Sequence, residues 1–313
     1  MDRVSMTPAN DADESQPPWY VLGAGALGTL IAGQLQEKKQ PFSLLSRDPA
    51  DRRRRLKVAD RWLELSMHPL TEIGSGEIRG LIVATKAGDC ANALAQIADG
   101  LAVDAEVVVM ANGLGFEQQL ATVLSGRLLM RGVSTSAAYR QGKEDVIMAS
   151  QGETYLGRIG EIENTDQNLE HPSPFVESTL CELKNWSWKP QIEQRIHRKF
   201  CINCVINPLT ALLRCKNGML VQRDDYRVQT EGLASEVEAV ARTLELWSGE
   251  EALISAVTTV CHSTATNLSS TLQDILAGRR SELPFLTGEL LKRANKIGVA
   301  IPKSADLLNE LLR

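Results

Sequence analysis

Lys199, Asn203 and Asn207 recur at every fourth position of "RKFCINCVINPLTALLRC" (198–215), a stretch otherwise dominated by apolar side chains. Asparagine suits a helix interior poorly, because its amide competes for nearby backbone groups. In a helix, residues four apart advance about 40° beyond a full turn, so the three form a slanted polar stripe. Phe200, Ile202, Val205, Ile206 and Leu209 flank it. Taken singly, each residue reads as a surface lysine or a packed amide. Together, among apolar neighbours, they suit the wall of a cleft. Pro208 removes one N–H from the same helix and should kink it.

The second group with chemistry in it is "VLGAGALG", where Gly23, Gly25 and Gly28 have GxGxxG spacing. Such glycines serve a tight turn, a close approach of backbone to a pyrophosphate, and tight packing of helix on strand. The motif ends one apolar strand and opens a helix, the context that makes it a dinucleotide site. Ala24, Ala26 and Leu27 complete the loop. About twenty residues on, where NAD enzymes place an acid against the ribose, stands Arg47 of "SRDP". A guanidinium grips a 2′-phosphate with two prongs, which favours NADP(H). Asp48, one residue later, keeps NAD(H) open. Lys86 ends "LIVATK" and Asn112 ends "VVVMANG", so both stand at the sheet edge where ligands collect.

Alternating elements must carry these residues. Apolar strands at 19–23, 41–46, 80–86, 105–113 and 127–135 are separated by helical patterns, which predicts a parallel sheet covered on both faces. "DVIMAS" and "ETYLGRI", joined by "QG", predict a closing hairpin. "RRRR" at 52–55 reads as a solvated loop or helix start. "GEIENTDQNLEHPSP" (160–174) reads as a linker, and the pattern beyond it is helical. The fold class is an α/β Rossmann-type N-terminal domain with a mostly parallel sheet, followed by an all-α C-terminal domain. The expected division is a disordered polar tail at 1–17, a dinucleotide-binding domain at 18–172 and a helical substrate domain at 173–313.

Composition narrows the function classes. Among 313 residues, 34 basic and 39 acidic side chains give a net charge of −5, which argues against nucleic-acid or membrane-surface binding. No apolar run approaches the roughly 20 residues that span a bilayer, and the polar start is no secretory signal. The six cysteines fit free thiols in a reducing cytoplasm. Cys201 and Cys204 form a CxxC within the helical run, but no second ligand pair accompanies them, so no metal site is expected.

The helix, with the residues that follow it, resembles the signature helix of the ketopantoate reductase family. The likeness covers nearly the whole chain after the tail. It includes "GAGALG", the lysine of "ATK", the "NG" of "ANGLG" and the run "NLSSTLQDILAGRRSELPFLTGELLKRANKIGVAIP". The resemblance implies NADPH-dependent reduction of 2-dehydropantoate to (R)-pantoate by a monomer or homodimer. It makes Lys199 the proton donor to the keto oxygen and Glu282 the carboxylate that supports it and contacts ligand. Asn112, Asn203, Asn207, Asn217, Asn267 and Ser270 become substrate residues. Cofactor contacts fall on Gly23, Ala24, Gly25, Ala26, Leu27 and Gly28, and on Arg47, Lys86, Asn112, Glu282 and the backbone of Ala138. The chain departs from its relatives at Leu283-Pro284, where they have Ile-Asp, and at Thr287-Gly288, where they have Asn-Gly. Domain closure over the substrate is expected. Two rivals stay open: a reductase of another 2-oxo acid, and a non-catalytic NADP sensor.

Overall fold

Trp19–Leu22 (β1) is buried at all four positions and is the middle strand of an eleven-stranded sheet. The computed structural model describes residues 16–48, 50–124, 127, 129–159 and 170–312. Most of the expected tail, and residues 160–169 of the expected linker, lie outside them. After β1 come α1 (Ala26–Glu37), β2 (Phe42–Ser46), β3 (Arg53–Val58), β4 (Arg61–Pro69), β5 (Ile78–Val83), α2 (Cys90–Ala95), β6 (Leu101–Val109) and α3 (Glu117–Leu124). Then follow β7 (Leu129–Ser134), β8 (Ala137–Gln141), β9 (Asp145–Ser150), β10 (Thr154–Arg158), α4 (Pro174–Ser178) and β11 (Trp186–Trp188). The rest is helical: α5 (Ile192–Leu213), α6 (Met219–Gln222), α7 (Asp224–Thr243), α8 (Leu253–Ser263), α9 (Ser270–Leu276), α10 (Thr287–Ile297) and α11 (Pro302–Leu311).

The parallel set β7-β6-β5-β1-β2-β4 is the heart of the sheet. Side chains alternate across it, as a strand's two-residue period requires. Trp19 and Val21 join Leu30, Ile31 and Leu35 of α1, whereas Tyr20 and Leu22 join Leu94 of α2 and Leu120 of α3. Two cores therefore sandwich one layer of strands.

Three expectations need correcting. The two strands expected to form a hairpin do not pair. β9 runs parallel to β3 and antiparallel to β8, while β10 runs antiparallel to β7 and parallel to β11. A short polar link makes a hairpin available, but burial of each strand's apolar face chose different neighbours. "RRRR" is neither loop nor helix start, because Arg53 opens β3. Its alternation puts Arg54 on the same face as Leu56, and both are buried. The sheet also continues past residue 172, since β11 belongs to it and the helical part starts at Ile192.

Helix α5 organises the second half. Thirteen of its 22 residues are buried, as suits a helix enclosed on most sides. It packs on α7, α8, α9 and α11, and also against β7 and β10, so one helix belongs to both halves. It continues through Pro208 and stops at Arg214, whose φ of 47° is left-handed.

Candidate active site

Because α5 crosses the end of β7, Lys199 reaches the sheet. Its Nζ donates to the Ser134 carbonyl at 2.8 Å. Lys199, Asn203, Asn112 and Arg131 line one pocket, together with Ala111 and Gly113 at the end of β6. About 10 Å³ of it admits a water, close to the least that holds one, and its mouth is partly open to solvent. Part of the Lys199 side chain remains accessible, yet its ammonium is ringed by protein. Burial lowers its pKa from 10.5 to about 8. Glu282 opposes that drop through space and Arg131 adds to it.

Glu282 sits just ahead of a 3-10 turn at Leu283–Phe285, with Pro284 at the turn's start. One carboxylate oxygen accepts from Asn112 Nδ2 at 2.9 Å and the other from the Ala87 N–H at 3.1 Å. Burial raises its pKa, against those two hydrogen bonds and the charges of Lys199 and Lys86. Glu282 thus ties the helical half to two strand ends. Lys86 makes a parallel crossing: its Nζ pairs with Asp274 Oδ2 at 2.7 Å and donates to the Arg280 carbonyl. The Leu114 N–H donates to the Phe285 carbonyl at 3.0 Å.

The far end of the stripe meets α9. Asn207 is buried, and its Nδ2 lies 3.4 Å from the exposed Ser270 hydroxyl. The neighbouring Ser269 is buried and does a structural job, accepting from the Leu272 N–H at 3.1 Å and from the Thr210 hydroxyl at 2.7 Å. Asn217 donates to Thr264 Oγ1 at 2.9 Å, and its N–H reaches the Asn267 carbonyl at 3.0 Å. Its own Oδ1 is buried without a partner. So is the hydroxyl of Thr287, where relatives are expected to carry asparagine.

At the glycine loop, Gly23 has a φ of 110°, and a Cβ there would stand 2.9 Å from Thr85. A Cβ on Gly28 would run into the Gly23 carbonyl, which explains the close seat of α1 on the strand. At Gly25 the same position is open. α1 has no side-chain cap and no acid in its first turn, so its N–H groups and positive end are free to receive an anion. These features fit the pyrophosphate of a dinucleotide. Ala138 on β8 borders the same apolar core as Ala24, Ala26 and Leu27. Arg47 is exposed just past β2. Asp48 is turned into its own loop, where Oδ1 accepts from the Ala50 N–H at 2.9 Å.

Two arginines belong to this picture although their spacing marks no motif. Arg54 donates from Nε to the Ala24 carbonyl at 3.1 Å and so braces the glycine loop. Strand alternation in "RRRRLKV" was the available signal. Arg131 sits mid-strand in β7, which is buried throughout. A charge inside "LLMRGVS" was the signal there. Cys201 and Cys204 are buried free thiols on α5. Among the described residues no helix is long and apolar enough to cross a membrane, and no group of three or more His, Cys, Asp or Glu could hold a metal ion.

Comparison with known proteins agrees with this fold. The sequence model of Ketopantoate reductase PanE/ApbA matches residues 19–161, and that of its C terminal matches residues 191–312. A 2-dehydropantoate 2-reductase of Yersinia pestis is 34% identical over 233 residues, covering 74% of this chain and 73% of the relative. Among solved structures, D-mandelate dehydrogenase with NADH and anilino(oxo)acetate has a TM-score of 0.81 at 20% identity, over 94% of this chain and 96% of that one. A dimeric ketopantoate reductase from Staphylococcus aureus has a TM-score of 0.79 at 17% identity, over 94% and 97%. At those identities the two structures speak for the fold alone. The sequence matches go further: the chain belongs to the ketopantoate reductase family.

Proposed function

We propose that this oxidoreductase reduces 2-dehydropantoate to (R)-pantoate with NADPH, a step toward pantothenate and coenzyme A. The observation that carries the reading is Lys199, an ammonium of lowered pKa sharing a narrow pocket with Asn112 and Asn203. When bound, NADPH supplies the hydride for C2 of the keto acid. Lys199 stabilises the charge growing on the keto oxygen and then donates the proton that completes the alcohol. Glu282 keeps that lysine charged and contacts ligand. Asn203, Asn207 and Ser270 orient the small, oxygen-rich acid, with Ser270 on its carboxylate and Asn217 and Asn267 along the same cleft.

The Gly23–Gly28 loop, with Ala24, Ala26 and Leu27, holds the pyrophosphate against the start of α1. Lys86, Asn112, Glu282 and the backbone of Ala138 complete the cofactor's surroundings. NADPH is preferred over NADH because Arg47 is free at the end of β2, while Asp48 is occupied by its own loop.

The test is the loss of NADPH absorbance with 2-dehydropantoate, run against a panel of other 2-oxo acids that includes phenylglyoxylate, and repeated with NADH. The expected result is the highest kcat/KM for 2-dehydropantoate with NADPH. A higher value for another acid would reassign the substrate. Tight NADPH binding without turnover of any acid would make the chain a sensor.

A further inference from the structure

Arg131 has no assigned role, yet it is the least expected charge in the molecule. It is 2% exposed in the middle of a strand buried at all six positions. Its Nη1 pairs with Glu117 at the start of α3, and its guanidinium lies 4.7 Å over the Phe116 ring. Nη2 donates to the Ala111 carbonyl at 3.0 Å and approaches the Gly113 carbonyl at 3.4 Å. Those carbonyls flank Asn112, whose amide holds Glu282. Nε is buried and has no hydrogen-bond partner.

The carbonyl contacts of Arg131 fall on either side of Asn112, and its side chain borders the space around Lys199. Arg131 lines the Lys199 pocket and Glu117 does not. Seen from Lys199, the nearer charge of the pair is therefore positive.

We propose that Arg131 is a positioning residue of the active site: its guanidinium fixes the backbone on both sides of Asn112 and sets a permanent positive charge against the Lys199 ammonium. This rests on the reading of Lys199 as proton donor. Two like charges in a poorly solvated site make the titratable one the readier acid. An arginine is suited to the task because it keeps its own proton at every working pH. Lys199 faces Glu282 from the segment ahead of α10 and Arg131 from β7. On α5 itself stands His197, whose basicity is lowered by burial and by Arg293. Burial lowers the pKa of Arg131 itself, and Glu117, Cys90 and Glu282 oppose that drop. At Lys199 burial acts first, Glu282 opposes it and Arg131 adds to it.

The experiment reads Lys199 without turnover. Acetic anhydride labelling of the full chain is followed by mass spectrometry of the Lys199 peptide across pH. Each rate is taken relative to its own plateau at high pH, so that access to the pocket cancels and the neutral fraction of the amine is measured. In the wild type Lys199 should be half reactive near pH 8. In the Arg131→Met/Glu117→Gln double variant the labelling rate at pH 7 should fall at least about threefold. The alkaline limb of its kcat profile should move up in pH as well. An unchanged labelling rate in a double variant that melts like wild type overturns the proposal. Should that variant fail to fold, Glu117→Gln alone strips the counter-charge and leaves the guanidinium. Labelling at pH 7 should then rise, and no change overturns the proposal equally. A chain that reduces no keto acid would sink the proposed reaction while leaving the labelling result to stand.

Discussion

Burial and function pull against each other at Lys199. Its folded pKa of about 8 lies below the ordinary 10.5, so between those values the unfolded chain binds more protons than the folded one. The stability from this site therefore rises with pH across that window, and below about pH 8 the enclosed charge is a standing cost. Lys199→Met should lower kcat at least about a thousandfold and still melt no lower than wild type at pH 7. A variant keeping more than about a tenth of wild-type kcat would remove the lysine from the mechanism. In the wild type, kcat should decline as pH rises through about 8, because only the ammonium can donate. Ser270→Ala should raise KM for the keto acid and leave NADPH affinity unchanged by direct titration, since Ser270 stands on α9 and the glycine loop on α1. The stripe was legible because its spacing and its apolar neighbours are local properties. Arg131 was not, because only the fold brings β7 against α5.

Single elements show the same division. β1, β2, β5 and β6 could be read from runs of apolar residues, since a strand covered on both faces has no polar side to disguise it. The pairing of β9 with β3 could not. Leu56 lies opposite Val146, and no local feature of either segment names the other. The strand β3 then does something its composition hid. Leu56 packs against Gly33 of α1, and two residues earlier Arg54 is delivered to the Ala24 carbonyl. Arg47 and Arg54 should therefore fail differently. Arg47→Ala should raise KM for NADPH at least about tenfold, from the loss of charge-assisted bonds of roughly 1.5–3 kcal/mol, and leave NADH kinetics nearly unchanged. Arg54→Met should raise KM for both cofactors alike, because it braces a loop that both use. Steady-state kinetics with the two cofactors separates the outcomes, and equal damage from Arg47→Ala would make that residue structural.

The two halves of the molecule meet along an apolar seam, where Leu114, Val133 and Tyr155 join the core around α5, and short polar contacts are added to it. Glu282 holds Asn112 and the Ala87 N–H, Lys86 holds Asp274, and the Leu114 N–H meets the Phe285 carbonyl. Gly113 lies under that last contact with a φ of 89°, and a Cβ there would strike the Phe285 carbonyl. Gly113→Ala should pry the halves apart, lowering the melting temperature by about 3–10 °C and kcat with it. An unaltered melting curve would show that the junction yields easily. The domain boundary itself was hard to read, because β11 rejoins the sheet after a polar stretch.

The pocket at Lys199 is narrow, with about 10 Å³ of it open to a water. If the halves part to admit a keto acid and meet again around it, the described arrangement is the narrower of two, and binding draws on the wider one. If only a fraction of molecules is open at any instant, each ligand's apparent affinity is reduced by that same fraction. Phe285 meets Phe116 edge to face at 6.1 Å, across the junction of the two halves. Removing the ring in Phe285→Ala should enlarge the open fraction and tighten NADPH and keto acid by one common factor. Turnover should slow meanwhile, because the proton donor is complete only when the halves meet. Unequal gains in affinity would mean that Phe285 touches one of the ligands. A looser enzyme of this kind would hold its substrates better and use them worse.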